Sequence, residues 1–356
     1  CDKIVQADAP SNPISKGKAG PGLLAHILIQ KYCNHLPFYR QSQMFDREDI
    51  DISRSTMSHW AGQSTKLLDL LVDEIKKYIL SSSHIHGDDT TIKVLAPGLG
   101  RTRIGRLWVY VKDGRPHGDK DAPAVCYYYS PDRKGARPKA HLENYQGVLH
   151  ADAYAGYDRL YPNKDNPNST ISEAACWAHT RRKFYEVTVA NNNAIIATTV
   201  LEQMSDIYKI EADIKGFDPA ERLKERQLKS KILVEEFFKN IEEALSKLPQ
   251  KGSTAKAIRY ALNNKEALMR FLEDGKIEID NNAAERAMRS VALGRKNWMF
   301  AGSDNGGNTA ATFYTIIETA KLNNVNPWLY LSKVLSIIQD YNSNKLADLL
   351  PWNLKL

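Results

Sequence analysis

Three acidic residues stand apart from the forty-two Asp and Glu of this 356-residue chain because of the segments that carry them. Asp88 lies in HIHGDDTTIKVL (84–95), Asp152 ends the strand-like segment in VLHADAYAGY (148–157), and Glu285 lies in IDNNAAERAMRS, where Asp280 or Asn281 can cap a helix. Two strand carboxylates and one helix carboxylate are a donor set suited to two Mg2+ ions, with Mn2+ as a substitute. Such ions take a few carboxylate oxygens together with water and phosphate oxygens. Two of them about 3.5–4 Å apart clamp the attacking and leaving oxygens of an in-line phosphodiester displacement. Any one of the three acids read alone is a solvated surface acid, so the combination carries the expectation.

The neighbours of these acids refine it. Asp88 and Asp89 must face opposite sides of a strand, so only one looks into the site and the other supports it. His86 and His150 each precede an acid by two and share its face, either as hydrogen-bonding support or as packing. Cys176 and His179 are spaced as half a metal site, but no second Cys or His pair lies at a matching distance. Closed structural zinc is therefore not expected, and His179 is assigned to supporting the catalytic face. Arg181, Arg182 and Lys183 are read as phosphate contacts, or as a solvated helix start. Arg289 can pair with Glu285 along a helix or reach a phosphate beside it. Arg295 and Lys296 read as phosphate contacts and Trp298 as core.

Residues 1–22 are rich in Pro, Gly, Ser and Lys and predict a linker or extended arm. From Leu23 to about residue 80 the pattern is helical: Leu23 to Tyr32, a start at Pro37, a short Ser53-capped helix through Trp60, then a longer one presenting Leu67, Leu68, Leu71, Ile75 and Ile79. This suits either a helix-turn-helix offering Arg54 and Ser58 to DNA or a bundle with a solvated polar face. Segments 84–95, 104–112, 123–129, 148–157 and 171–179 read as strands, with a short helix near 139–145. Residues 185–275 read as helical, with Leu228, Ile232, Phe238, Ile241, Leu245 and Leu248 on one stripe.

The formal charge of +7 and a pI near 9.0 favour a polyanionic partner. With 42% hydrophobic and 26% charged residues the composition is that of a globular protein. No apolar run approaches the ~18 residues of a membrane span. Four scattered cysteines fit a reducing compartment, and a chain beginning with Cys1 reads as a fragment.

HGDDTTIKVL, GRLWVYVKDGRP, the Tyr-Ser-Pro-Asp-Arg run at 129–133, GVLHADAYAGY, CWAHTRRKF, IDNNAAERAMR and LGRKNWMFAGSD resemble, in this order, the transposases of the insertion sequence 66 family. The likeness extends to KYCNHLPFYRQ, SRSTMSHWAG and AKLNNVNPWLYL. It implies an α/β, ribonuclease H-like mixed sheet over 84–185 and 276–335, interrupted by a helical insertion at 186–275. An all-α helix-turn-helix-like module at 23–80 would precede it and a helical tail at 336–356 would follow. It further implies a DDE triad at Asp88, Asp152 and Glu285, Mg-dependent cleavage and transfer of DNA at element ends, and a bacterial, nucleoid-associated setting. Implied partners are end and target DNA, further copies of the chain and accessory proteins. A structure-selective nuclease and a catalytically silent DNA-binding regulator are the alternatives. The family usually carries Asp-Glu-Thr where this chain has Asp88-Asp89-Thr90, and Cys1 resembles the last ligand of the family's upstream zinc-binding segment, whose other ligands this sequence lacks, so the resemblance implies no zinc in this fragment.

Overall fold

Pro21 begins the first helix, where its missing N–H costs nothing. The computed structural model describes residues 11–356 except positions 16, 165 and 192, so Cys1 and the first ten residues of the expected linker lie outside it. Helix α1 (Pro21–Tyr32) buries Leu24, Ile27, Leu28 and Tyr32, and α2 (Phe38–Asp46) follows Pro37 as expected. Ser53 caps α3 by accepting the Thr56 N–H. Here the structure departs from the sequence reading: α3 runs unbroken from Arg54 to Leu80, so the expected short helix and the longer one are a single element. No Pro or Gly breaker interrupts it except Gly62, which meets nothing at its Cβ position. Arg54 and Ser58 are exposed on its first two turns.

Five strands follow: β1 (His84–Ala96), β2 (Arg101–Lys112), β3 (Ala124–Ser130), β4 (Gly147–Ala151) and β5 (Ile171–Ala175). Their order is β3-β2-β1-β4-β5, with β1, β2 and β3 antiparallel and β4 and β5 parallel to β1. The fourth and fifth strands are shorter than the sequence suggests. β4 stops at Ala151, and Trp177 already opens a helix. Gly147 enters β4 at φ +137°, where a Cβ would lie 2.3 Å from the Ser83 carbonyl, so only glycine fits this approach.

The helix between β3 and β4 is α4 (Ala136–His141), and α5 (Trp177–Ala190) follows β5. Next come α6 (Ile195–Asp213), α7 (Pro219–Glu225), α8 (Lys231–Ser246), α9 (Ser253–Asn263) and α10 (Lys265–Met269). A π-helical turn, Arg226–Ser230, joins α7 to α8. The buried stripe here is Arg226, Ser230, Val234, Phe237, Phe238 and Ile241, while Leu228 and Ile232 are exposed, contrary to the expected stripe. The reason is that Arg226, paired with Glu211 at 2.7 and 2.9 Å, occupies a core position that hydrophobic periodicity assigns to apolar side chains.

Helices α11 (Asn282–Trp298), α12 (Asp304–Leu322) and α13 (Pro327–Ile337) return the chain to the sheet. Edge strand β3 has free backbone groups, which threonines of α12 satisfy. Thr315 and Thr319 accept the N–H groups of Tyr127 and Val125 at 2.9 and 3.2 Å, and Thr319 donates to the Val125 carbonyl. One apolar cluster joins α1, α3, the sheet, α12 and α13. A second, around Trp177, Phe184, Ile207, Phe237 and Ile258, fills the helical region after β5. Among the described residues no helix is long and apolar enough to cross a membrane.

Candidate active site

Asp88 sits midway along β1, opposite Val109 of β2, and is largely shielded from solvent. Burial pushes its carboxyl up to about 7, helped by the negative charges of Asp152, Asp89 and Glu285, while the Asp89 N–H donated to its Oδ1 at 2.7 Å opposes the rise. The electrostatic coupling to Asp152 and Glu285 means that the three acids share a neighbourhood although 64 and 197 residues separate Asp88 from them in sequence.

Asp152 stands one residue beyond β4, where the chain leaves the sheet and carries its side chain past the strand end. Ala153 next to it adopts φ +57°, and the Tyr154 N–H donates to Asp152 Oδ1 at 3.2 Å, so a tight left-handed turn fixes this carboxylate. The Tyr260 hydroxyl, from α9, donates to the Asp152 carbonyl at 3.2 Å. Glu285 lies on the first turn of α11 and faces the first turn of α5. His179 Nδ1 is 3.6 Å from Glu285 Oε1, and Arg182 Nη2 is 4.0 Å from Oε2. Burial lowers the His179 pKa against the pull of Glu285 and Asp152, which favours a neutral ring.

Asp89 points the other way, as strand alternation requires. Its side chain is 1% exposed and is held by Arg106 at 2.9 Å and by Arg133 through Nε and Nη2 at 2.9 and 2.7 Å. Arg133 also lies 3.9 Å from Asp152 Oδ2 and packs on the Tyr154 ring, so Asp89 holds this arginine beside Asp152. His86 and His150, paired in register on β1 and β4, stack at 5.2 Å between centroids. Burial lowers the pKa of both, so they serve as packing between the strands rather than as charged groups.

Asn281 is the residue that the sequence reading undervalued. It offers α11 no side-chain cap. Fully buried, it donates Nδ2 to the Gly87 carbonyl at 2.8 Å, places Oδ1 3.1 Å from His86 Nδ1, and donates its backbone N–H to Cys176 Sγ. Asp280 instead accepts the Asn282 N–H. Asn281 thus ties the start of α11 to β1 through its side-chain amide and to the residue after β5 through its backbone N–H, which sets Glu285 relative to Asp88. An Asn between two polar residues carries no sequence signal for that role.

The basic residues fall into two groups. Arg181, Arg182, Lys183, Arg289 and Lys296 are exposed. Arg289 is not among the ion-pair partners found within 4 Å of Glu285, which are His179 and Arg182 among the described residues. Arg295, expected at a phosphate, donates Nη1 to Thr90 Oγ1, the Thr91 carbonyl and Thr91 Oγ1 at 2.8, 2.8 and 3.1 Å, fastening the end of α11 to β1. Trp298 is buried, as expected of a core residue.

The model of the IS66 transposase family matches residues 16–309, and that of the IS66 C-terminal element matches residues 315–352. The chain belongs to the IS66 transposase family. Among its relatives in Sinorhizobium fredii (strain NBRC 101917 / NGR234), the uncharacterized protein y4qI is 40% identical over 357 residues, which cover 99% of this chain and 66% of the relative. The uncharacterized protein y4hP is 39% identical over 368 residues, covering 100% of this chain and 66% of the relative. The chain thus spans about two thirds of the length of these relatives.

Proposed function

We propose that this chain carries the catalytic part of a DNA transposase that cuts an insertion sequence at its ends and joins it to new DNA, with Asp88, Asp152 and Glu285 as the acidic trio. The observation that carries the reading is the charge conflict at Asp88, whose carboxyl is raised to about 7 by burial and by the two other acids. Such a site gains from a bound dication, because the ion offsets both the repulsion and the desolvation. The acids fit Mg2+ or Mn2+, which need carboxylate oxygens and tolerate water in the remaining positions. When bound there, the ions would activate a water or 3′-hydroxyl for attack and stabilise the departing 3′-oxygen.

The chain's own groups do the rest. Asp88, Asp152 and Glu285 would hold the ions, Asp88 as the carboxylate with its proton released to solvent. Arg133, fixed by Asp89, holds positive charge beside Asp152. Exposed Arg181, Arg182 and Lys183 on α5 offer charge to the phosphates of a strand crossing the site. No covalent enzyme intermediate is required, so positioning and charge neutralisation supply the rate. The strand order β3-β2-β1-β4-β5 supports a ribonuclease H-like reading of the sheet. Double-stranded DNA at element ends and target, a second copy of the chain and proteins of the same element are the partners this reading requires.

The test is a labelled element-end duplex with Mg2+. Asp88→Asn, Asp152→Asn and Glu285→Gln should each lower cleavage by at least about a hundredfold. Wild-type rates in all three variants would remove the assignment, and cleavage without joined products would favour a nuclease.

A further inference from the structure

Glu285 has a second set of neighbours besides the two aspartates. Cys176 Sγ, His179 Nδ1 and a Glu285 carboxylate oxygen all lie within 4.8 Å of one another, the one such group of three metal-ligating side chains among the described residues. Cys176 immediately precedes α5, and His179 is three residues on, so the first turn of that helix presents both donors on one face. The first turn of α11 brings Glu285 opposite. His179 Nδ1 and Glu285 Oε1 are shielded from water and have no hydrogen-bond partner, an arrangement that costs free energy unless something occupies the gap. Their 3.6 Å separation is close to the edge of a tetrahedron whose metal–ligand bonds are about 2.0–2.2 Å. Cys176 is 2% exposed, and burial pushes its thiol up to about 12 against the Asn281 N–H donated to the sulfur, so a bound dication is what would draw off its proton.

We propose that Cys176, His179 and Glu285 form a binding site for Zn2+, with the fourth position open to water, and that occupation of this site draws Glu285 away from Asp88 and Asp152. A sulfur, an imidazole nitrogen and one carboxylate oxygen match Zn2+ rather than Mg2+, which binds oxygen. Binding releases the Cys176 thiol proton to solvent and leaves the imidazole neutral, the form that burial already favours. The second half of the proposal rests on the reading of Glu285 as a member of the acidic trio; the first half does not. Zinc would then inhibit the Mg2+-dependent reaction by competing for one shared carboxylate.

Titration of the full chain with CoCl2 under reducing, oxygen-free conditions tests the site without DNA. One equivalent should produce a near-ultraviolet sulfur-to-cobalt charge-transfer band and the visible bands of a tetrahedral ion, both removed by ZnCl2. Cys176→Ser should abolish the charge-transfer band, and Glu285→Gln, which leaves the thiol in place, should weaken cobalt affinity at least tenfold. Circular dichroism melts of both variants identify a folding failure, and His179→Gln then provides the independent loss of affinity. A wild-type chain without the sulfur band, or a band that persists in folded Cys176→Ser, overturns the site. In the cleavage assay, ZnCl2 should inhibit the wild type at limiting MgCl2, with recovery on adding excess MgCl2 or a zinc-selective chelator. A positive cobalt titration without zinc inhibition overturns the competition alone, and a chain that binds cobalt but never cuts DNA counts against the transposase reading instead.

Discussion

Arg133 clasps Asp89 through two nitrogens and stands 3.9 Å from Asp152, so one guanidinium links the buried face of β1 to the mouth of the site. Arg133→Ala should leave the Asp89 carboxylate with Arg106 alone and lower unfolding free energy by about 1–3 kcal/mol in urea titrations. Arg133→Lys should recover little of this, because an ammonium cannot reproduce the two-pronged contact. Equal stability of all three proteins would show that the pair is dispensable.

Asp88 makes stability depend on pH in a defined direction. Its folded pKa, about 7, exceeds the ordinary 3.8, so the folded state holds this proton more tightly than the unfolded chain. Stability therefore falls as pH rises through that window and levels off above it. In metal-free buffer Asp88→Asn should melt above the wild type at pH 8, with a ceiling of about 4 kcal/mol at about 1.4 kcal/mol per unit, and match it near pH 4. Mg2+ should raise the wild-type melting temperature and not that of the variant. A variant less stable than the wild type at pH 8 would contradict the charge conflict.

Exposed and committed arginines should separate in DNA binding. Arg182→Ala should reduce the slope of log affinity against log salt by about 1 while leaving the melting temperature alone. Arg295→Ala should instead cost about 1–3 kcal/mol of stability, since it removes the hydrogen bonds that fasten α11 to Thr90 and Thr91. Identical salt slopes for the wild type and Arg182→Ala would place the bound DNA elsewhere.

In the helical region, Arg226 is fully buried, bonded to Glu211 and to the carbonyls of Phe271 and Asp274. Arg226→Ala should destabilise by about 3–5 kcal/mol, because it leaves Glu211 buried with only Arg222 as a cation, 3.5 Å away. Calorimetry should show the loss, and a change under 1 kcal/mol would mean that water replaces the guanidinium.

Much of the fold was legible from residue order alone. Apolar spacing placed α1, the Pro37 start and the Ser53 cap, and runs of β-branched and aromatic residues marked all five strands, because these patterns reflect local backbone preferences and burial of one face. The same reading singled out Asp88, Asp152 and Glu285, and strand alternation separated the directions of Asp88 and Asp89. Tertiary structure decided the rest. It joined the short and long helices into α3, ended β4 before Asp152, put Arg226 in an apolar stripe and committed Arg295 to β1. It also placed Glu285 against Cys176 and His179, completing a donor set of which the sequence displayed only half. Contacts between residues a hundred or more positions apart depend on how strands and helices stack. That stacking is determined by side-chain packing and by pairing of buried polar groups, neither of which leaves a local periodic signal.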